Sequence, residues 1–144
     1  MLLGEFEHTI DEKNRLTLPA KFRQALAPGL VLTRGLDACV GVYPAADWHR
    51  LRESRLAELD PFSAEARALQ RFFYAGAVET EPDRQGRVML PPALIEHGGL
   101  GREVTVVGLG DRLEIWDRAA WRGQLESIKG SAEDVAERLA AKRD

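Results

Sequence analysis

Two short segments of the chain place an aspartate four residues before an arginine, a spacing at which a carboxylate can hold a guanidinium. They are residues 11–15, "DEKNR", and residues 83–87, "DRQGR". The fourth position holds Asn or Gly, the residues that best tolerate positive φ, so each segment predicts a hairpin turn with a bulge. The aspartate is expected to open the turn by accepting hydrogen bonds from its own backbone.

The pairing of aspartate with arginine has a structural and a functional interpretation. As a structural feature it is a half-exposed salt bridge worth about 0–1 kcal/mol, which accounts for Asp and for Asn or Gly but does not require arginine. As a functional feature, the aspartate fixes Arg15 or Arg87, so less rotamer entropy is lost when the guanidinium meets a phosphate or a guanine edge. The residues alone leave both interpretations open.

The first turn also begins a basic run in a chain that is acidic overall. Residues 13–23 carry four bases and no acid, and because the whole chain has a net charge of −3, this +4 segment leaves −7 for the rest. Exposed charges act over about 8 Å at physiological ionic strength, so a local patch can attract a polyanion. The run predicts phosphate contacts beside the first turn from Lys13, Lys21 and Arg23, and the alternative is an ordinary solvated face.

Both turns belong to a unit that the chain contains twice. Four residues of the first unit recur 72 positions later: Asp11, Arg15, Leu18 and Pro19. Five more positions match at an offset of 73: Gly35, Leu36 and Trp48 recur unchanged, Val42 is matched by Ile115, and Tyr43 is matched by Trp116. Each unit predicts the order β–β–α–β–β, in which Pro19 or Pro91 stops the second strand and opens a short helix.

The second unit is less basic than the first. Arg84 and Arg87 accompany its turn, but the helix that follows lacks counterparts to Lys21 and Arg23. We therefore expect the second turn to contribute less to any binding of an anion.

The duplication predicts the domain organisation and the fold class. We expect four parts: repeat 1 at 5–48, connecting helices at 49–76, repeat 2 at 77–121 and a charged helical tail at 122–144. A unit of about forty residues is too small to bury a core alone. We therefore expect a mainly β fold with helices, in which the two units pair about a pseudo-twofold axis and close a barrel. Trp48 and Trp121 occupy equivalent positions and are interpreted as aromatic residues that plug this barrel.

The connecting region contains a second aromatic segment. Asp60 is expected to cap a helix that begins at Pro61. That helix offers more apolar surface than one face needs, from Phe62, Leu69, Phe72, Phe73 and Tyr74. We expect residues 60–75 to form the joints between subunits of an oligomer.

These motifs resemble those of the MraZ family, within the AbrB-like swapped-hairpin group. The resemblance rests on the paired Asp-x-x-x-Arg signatures in "DEKNRLTLPAKFR" and "DRQGRVMLPPALI", on "GVYPAADW" and "EIWDRAAW", and on the central helix; it covers about residues 1–125. It implies tandem AbrB-like units that form a pseudo-twofold, double-split (swapped-hairpin) β-barrel. By motif position it implies that Asp11, Arg15, Asp83 and Arg87 carry the DNA-binding signature.

The same resemblance implies a function and a set of partners. It implies a regulator of transcription that binds double-stranded DNA at direct repeats upstream of the division and cell-wall gene cluster, and that represses its own operon. It also implies ring-like homo-oligomers and association with the nucleoid. The alternatives that remain are a protein-binding, antitoxin-like module that grips a partner with its tail, and a purely structural ring-forming protein.

The other reactive residue types do not predict an enzyme. His8, His49 and His97 fall in separate elements without metal-ligand spacing, and no catalytic triad stands out, so we expect no metal, cofactor or small-molecule substrate. Cys39 is the only cysteine and is interpreted as a small buried hydrophobe in a reducing compartment. No apolar run approaches about 18 residues, and the N-terminus lacks a basic signal region, so we expect a cytoplasmic protein without a membrane partner.

Overall fold

The structure is a computed structural model, and it describes residues 1–143. Within this range the chain forms eight strands and five α-helices. The strands are β1 (Leu2–Thr9), β2 (Arg15–Thr17), β3 (Leu30–Arg34), β4 (Val40–Pro44), β5 (Val78–Thr80), β6 (Arg87–Met89), β7 (Glu103–Gly110) and β8 (Leu113–Asp117). The helices are α1 (Arg23–Leu26), α2 (Ala45–Leu51), α3 (Ala64–Ala75), α4 (Pro92–Gly98) and α5 (Arg118–Arg143). A 3₁₀ turn, Ala20–Phe22, precedes α1, and a π-helical turn, Arg52–Leu56, follows α2.

The two repeats exchange strands. The first strand of repeat 1, β1, pairs antiparallel with β7 of repeat 2 from Leu2 opposite Gly110 to Thr9 opposite Glu103. In the same way, β5 of repeat 2 pairs with β3 of repeat 1. Within repeat 1, β1 meets β2 only through a bridge between Ile10 and Leu16. The mainly β, duplicated fold with swapped hairpins is therefore confirmed.

The strand register reveals the pseudo-twofold axis. In the β2–β6 ladder, Leu16 lies opposite Val88, which is its own counterpart in the other repeat. In the β4–β8 ladder, Gly41 lies opposite Glu114, which is again its own counterpart. A pair of equivalent residues can face each other only where the axis passes, so the axis runs through the centres of both ladders.

The strands form a split barrel. Six of them make one antiparallel sheet in the order β1-β7-β8-β4-β3-β5, and the other two make a separate ribbon, β2–β6. Across residues 1–143 the hydrogen-bonded ladders do not run continuously around the barrel. A single apolar core joins the two parts, to which the ribbon and its flanking residues contribute Ile10, Leu16, Leu18, Val88 and Leu90.

A helical turn closes one end of this core. Phe22 and Leu26, which are four residues apart, are both buried. The Phe22 ring packs edge-on against Phe6 of β1, with 5.2 Å between the ring centroids. This contact fixes the chain that leaves β2 against a strand of the sheet.

The interpretation of Trp48 and Trp121 as barrel plugs is wrong. Trp48 packs against Val31, and Trp121 packs against Val107, in two smaller clusters. In β3 and β7 the neighbours of these valines face the main core, so by strand alternation Val31 and Val107 point to the opposite face of the sheet. The two tryptophans therefore seat α2 and α5 on the outer face of the sheet.

The start of α3 also differs from the sequence prediction. Ser63, not Asp60, is the N-cap, and its hydroxyl accepts a hydrogen bond from the Ala66 backbone at 3.2 Å. Asp60 instead closes a preceding turn by accepting from the Phe62 backbone at 2.9 Å. The end of α3 is fixed to β3, because Arg34 donates to the Phe72 carbonyl at 3.0 Å.

The last helix, α5, is attached only at its beginning. Trp121 and Leu125 pack on the sheet, and Trp121 donates to Glu5 of β1 at 3.0 Å. Residues 126–142 are exposed or nearly so. None of the helices in the described range has both the length and the apolar character needed to cross a membrane.

The position of Leu16 on the axis gives a test of the fold. Leu16 has no exposed surface and lies where both repeats meet, so we expect Leu16→Ala to lower the free energy of unfolding by about 2–5 kcal/mol. Leu109→Ala is the control, because Leu109 is 40% exposed and its loss should change that energy by no more than about 0.5 kcal/mol. Urea unfolding measures both, and similar losses in the two variants would contradict the burial of Leu16 between the repeats.

Candidate nucleic-acid interface

The first Asp–Arg segment forms a closed turn around one carboxylate. Asp11 Oδ1 accepts hydrogen bonds from the backbone N–H groups of Lys13 at 2.9 Å and of Arg15 at 2.8 Å. Asp11 Oδ2 accepts from Arg15 Nε at 2.8 Å. Asn14 has a φ of 60°, so the predicted positive φ at the fourth position is confirmed. One aspartate thus shapes the backbone and holds the guanidinium.

The second segment repeats this geometry. Asp83 Oδ1 accepts from the backbone of Gln85 and of Arg87, both at 2.9 Å, and Asp83 Oδ2 accepts from Arg87 Nε at 2.8 Å. Gly86 takes the position of Asn14 with a φ of 75°. Corresponding hydrogen bonds of the two turns agree within 0.1 Å although the residues between Asp and Arg all differ. The aspartate and the arginine, whose side chains form the bonds, are the residues that the two turns share.

Each aspartate is held in its charged form. The backbone N–H of Arg15, reinforced by its guanidinium, holds the pKa of Asp11 below its ordinary value, and Arg87 does the same for Asp83. The bond to the aspartate uses only Nε of each arginine. Within residues 1–143 neither guanidinium forms another side-chain hydrogen bond, so the Nη groups remain available while Nε is held by the aspartate.

The two arginines lie on one face of the β2–β6 ribbon. Leu16 and Val88, at the centre of the ladder, are buried, so the residues on either side of them point away from the core. Arg15 pairs with Met89, and Arg87 pairs with Thr17. Arg15 and Arg87 are therefore diagonal neighbours on facing strands, with their Cα atoms roughly 7–8 Å apart. The pseudo-twofold axis passes between them.

The turns are locked to each other across the repeats. The carbonyl of Gly86 accepts from the Leu18 backbone at 2.8 Å, and the carbonyl of Asn14 accepts from the Leu90 backbone at 2.8 Å. The residue with positive φ in each turn is thus bonded to the strand end of the other repeat. The ribbon and both turns form one rigid unit.

The structure corrects the expected position of Arg23. Because β2 and β6 are antiparallel, the chain leaving β2 reaches the second turn and not the first. Arg23 Nε donates to the Leu18 carbonyl at 3.1 Å, and a Cβ added to Gly86 would come within 2.7 Å of the same nitrogen. Glycine at position 86 suits both its positive φ and the close approach of Arg23. Lys21 is exposed in the 3₁₀ turn just before Arg23.

The expectation that the second turn contributes less to binding was based on the helix that follows it, but the structure places a basic residue of repeat 1 beside this turn. Helix α4 has Ile95 where α1 has Arg23, and Ile95 lines a cleft beside Asn14 of the first turn. The basic neighbour of the second turn comes from repeat 1. It was missed because the sequence comparison assigned Arg23 to the turn nearest to it in the chain.

Sequence reasoning also missed Arg102. Its Nη1 donates to the Asp11 carbonyl, and its own carbonyl accepts from the Ile10 backbone at 2.8 Å. Arg102 lines a shallow cleft with Lys13 and Arg15. The β1–β7 register pairs Thr9 with Glu103 and so brings Arg102 to the first turn. Knowledge of this pairing would have identified Arg102.

The result is a basic face on an acidic chain. Residues 11–23 and 83–89, together with Arg102, carry seven basic side chains and three acidic ones. The basic residues are Lys13, Arg15, Lys21, Arg23, Arg84, Arg87 and Arg102. Two of the three acids are the aspartates bonded to Arg15 and Arg87. A two-stranded ribbon that presents bases on its outer face is suited to a nucleic-acid groove.

Other reactive residues are not arranged as a catalytic or metal centre. Among the residues that the structure describes, no three His, Cys, Asp or Glu side chains are grouped so as to hold a metal ion. Cys39 is fully buried, and this burial raises the pKa of its thiol to about 12. The thiol is therefore protonated at neutral pH, as expected for a residue that packs in the core.

Comparison with known proteins agrees with the duplication and with the motifs. The family model described as "MraZ protein, putative antitoxin-like" matches the chain twice, over residues 1–72 and 73–143. The chain is 47% identical over 139 residues to the transcriptional regulator MraZ of Heliobacterium modesticaldum, an alignment that covers 96% of each chain. It is 44% identical to the protein of that name from Syntrophomonas wolfei and 45% identical to the one from Moorella thermoacetica, again over 96% of each chain.

Replacement of each aspartate by asparagine separates its two roles, which are to shape the turn and to hold the arginine. In the double variant Asp11→Asn and Asp83→Asn, the amide oxygen still accepts from the turn backbone, but the amide nitrogen cannot accept from arginine Nε. Because the pKa of each aspartate is lowered in the folded protein, the wild type should be the more stable protein at neutral pH. This advantage should stay constant down to roughly pH 5 and shrink as the pH falls through the lowered pKa values, below about 4.

Urea unfolding at a series of pH values measures this difference. Each single variant should show about half of the effect of the double variant, since the two turns have the same geometry. A stability difference that grows on acidification would contradict the assignment.

Proposed function

Since the chain belongs to the MraZ family, we propose that it is a transcriptional regulator that binds double-stranded DNA through the β2–β6 ribbon and its two turns. The observation that carries this proposal is the pair of matching Asp–Arg turns on one exposed face of one rigid ribbon. A purely structural salt bridge does not require the same arginine geometry in both repeats. The name transcriptional regulator, carried by the relatives, supports the same function.

The ribbon fits the major groove in size and chemistry. That groove is about 12 Å wide and admits a two-stranded β-ribbon. Arg15 and Arg87 point outward, and their Nη groups are free to bind a guanine edge in the bidentate geometry that is the commonest specific contact. Because Asp11 and Asp83 already hold the guanidinium groups, less side-chain entropy is lost on binding.

The other basic residues flank Arg15 and Arg87. Lys13 and Arg84 lie in the turns, Arg102 lies beside the first turn and Arg23 beside the second. We assign them, with Lys21, to phosphate contacts that position the ribbon. Both halves of the interface then have a comparable set of basic side chains, and we propose that both contact DNA.

The finer function follows from the family resemblance and from charge. We propose that the targets are direct repeats upstream of the division and cell-wall gene cluster, that binding represses the chain's own operon, and that the protein acts in the cytoplasm on the nucleoid. Because the chain has a net charge of −3, its affinity for DNA must come from this local basic face. Several copies bound to regularly spaced repeats would raise the avidity by about 10²–10⁴.

We further propose that these copies form a ring through α3. Phe72 and Tyr74 are partly covered by their own chain, through His97 and Trp48 respectively. Phe62 is instead 92% exposed just before the helix. Leu36, which is 76% exposed, lines a cleft of about 430 Å³ with Leu69 of the helix. We therefore place the joint at Phe62 and at the cleft that Leu36 and Leu69 line, and not over all of residues 60–75.

A second candidate function, an antitoxin-like protein-binding module, is favoured by the exposed part of α5. Ile128, Ala132, Val135 and Leu139 are separated by four, three and four residues, the spacing of a coiled-coil seam. All four are exposed. A variant with Val135→Glu and Leu139→Glu distinguishes the functions, since it should keep its DNA affinity and lose only a partner held by this seam.

Arg15→Ala and Arg87→Ala test the proposed readers. Each should weaken binding to DNA from the region upstream of the chain's own coding sequence by about 5- to 150-fold, the value of one bidentate contact of about 1–3 kcal/mol. Fluorescence anisotropy measures the affinity, with scrambled DNA and Arg138→Ala on α5 as controls. Near wild-type affinity of a soluble Arg15→Ala protein would refute the interface.

Salt dependence identifies the phosphate contacts in the same assay. The slope of log affinity against log salt should flatten by about 0.9 for each phosphate contact that Lys13→Ala, Lys21→Ala or Arg23→Ala removes. An unchanged slope in the triple variant would place these residues away from the DNA.

Phe62→Ser tests the subunit joint. The wild type should sediment as a closed oligomer at micromolar concentration, and the variant should shift to smaller species because an exposed aromatic contact is lost. Binding to a site with several repeats should weaken, and binding to a single repeat should not. Leu109→Ser on β7 is the control, because Leu109 is also an exposed apolar residue. A wild-type monomer that binds the repeated site tightly would exclude the ring as the source of affinity.

A further inference from the structure

The outer face of the β2–β6 ribbon contains one apolar side chain that the basic residues do not explain. Met89 is 62% exposed and lies directly opposite Arg15 in the ladder. Its neighbours in the chain, Val88 and Leu90, are buried and supply the core at this point. An isolated exposed apolar residue is ordinary on a protein surface. The informative observation is the position of Met89, next to a fixed arginine on the face that is proposed to enter DNA.

The pairing of Arg15 with Met89 sets the distance between their side chains, and this distance can be compared with the spacing of base pairs. Directly opposite residues of an antiparallel pair have their Cβ atoms roughly 4.5–5.5 Å apart. Successive base pairs are stacked about 3.4 Å apart. With Arg15 on one base pair, the Met89 side chain therefore reaches the neighbouring one.

We propose that Met89 recognises thymine by packing against its C5 methyl group, at the base pair next to the one that Arg15 reads. This inference rests on the proposed DNA-binding function. The thymine methyl is an apolar group of the major-groove edge, and apolar side chains that contact it contribute to specificity. Methionine is unbranched and polarizable, so its side chain adapts to such a contact without a preformed pocket.

The pseudo-twofold axis supplies an internal comparison. The counterpart of Met89 is Thr17, which lies opposite Arg87 and is partly exposed. Threonine is shorter and carries a hydroxyl, so its apolar reach is smaller. We infer that the methyl group matters more at the base pair beside Arg15 than at the one beside Arg87.

Replacement of thymine by deoxyuridine tests the proposal, because it removes the methyl group alone. Fluorescence anisotropy of the full chain is measured on the bound upstream site with each thymine replaced in turn. For the wild type, one position should weaken binding by about 3- to 5-fold, the value of one buried methyl group. Met89→Ala should bind the thymine site more weakly by a similar factor and should no longer respond to the replacement.

Two further variants separate the contact from a general effect on the ribbon. Met89→Gln keeps the length of the side chain and should also lose the response to deoxyuridine. Leu109→Ala, at an exposed apolar residue of β7, should keep it. The proposal is overturned if the wild type ignores every replacement, or if Met89→Ala retains the wild-type ratio of affinities.

The outcomes also separate this proposal from the function on which it rests. A wild type that prefers the upstream site to scrambled DNA but ignores deoxyuridine would overturn the methyl contact alone. A wild type that does not distinguish the upstream site from scrambled DNA would overturn both.

Discussion

The antiparallel pairing of β2 with β6 is the constraint on which the proposed interface depends. In an antiparallel ladder the start of each strand lies beside the end of the other, so the turn that opens β6 meets the chain that leaves β2. The backbone bond from Leu18 to Gly86 and the approach of Arg23 to the same glycine both follow from this. The bond from Leu90 to Asn14 completes the reciprocal contact. Neither repeat alone contains a complete site.

Charge is organised around the same ribbon. A chain with a net charge of −3 presents seven bases there because its acids are placed mainly elsewhere. The two aspartates that remain beside Arg15 and Arg87 do not simply cancel charge. Each uses one oxygen to shape a turn and the other to orient a guanidinium. The guanidinium groups are therefore ordered before any ligand arrives, which is how a small number of charges can give a defined contact.

The sequence predicted what is determined locally and missed what depends on distant parts of the chain. The positive φ of Asn14 and the bonds to Asp11 involve five consecutive residues, so composition and spacing sufficed. The contact of Arg102 with Asp11 spans 91 residues and exists only because β1 pairs with β7. The outer position of Trp48 depends in the same way on which face of β3 the following helix covers. Periodicity shows that such residues are buried, but it does not show which layer buries them.

The fusion of two repeats in one chain has a consequence for how this surface can change over time. If the two halves were identical subunits, every mutation on the ribbon would occur at both related positions and alter both contacts together. In this chain a mutation occurs at one position only. Lys13 is related by the pseudo-twofold axis to Gln85, and Thr17 is related to Met89. The aspartates and arginines that build the turns are the same in both halves. Tandem linkage thus lets selection act on each half of the surface separately, while the frame that both halves share is preserved.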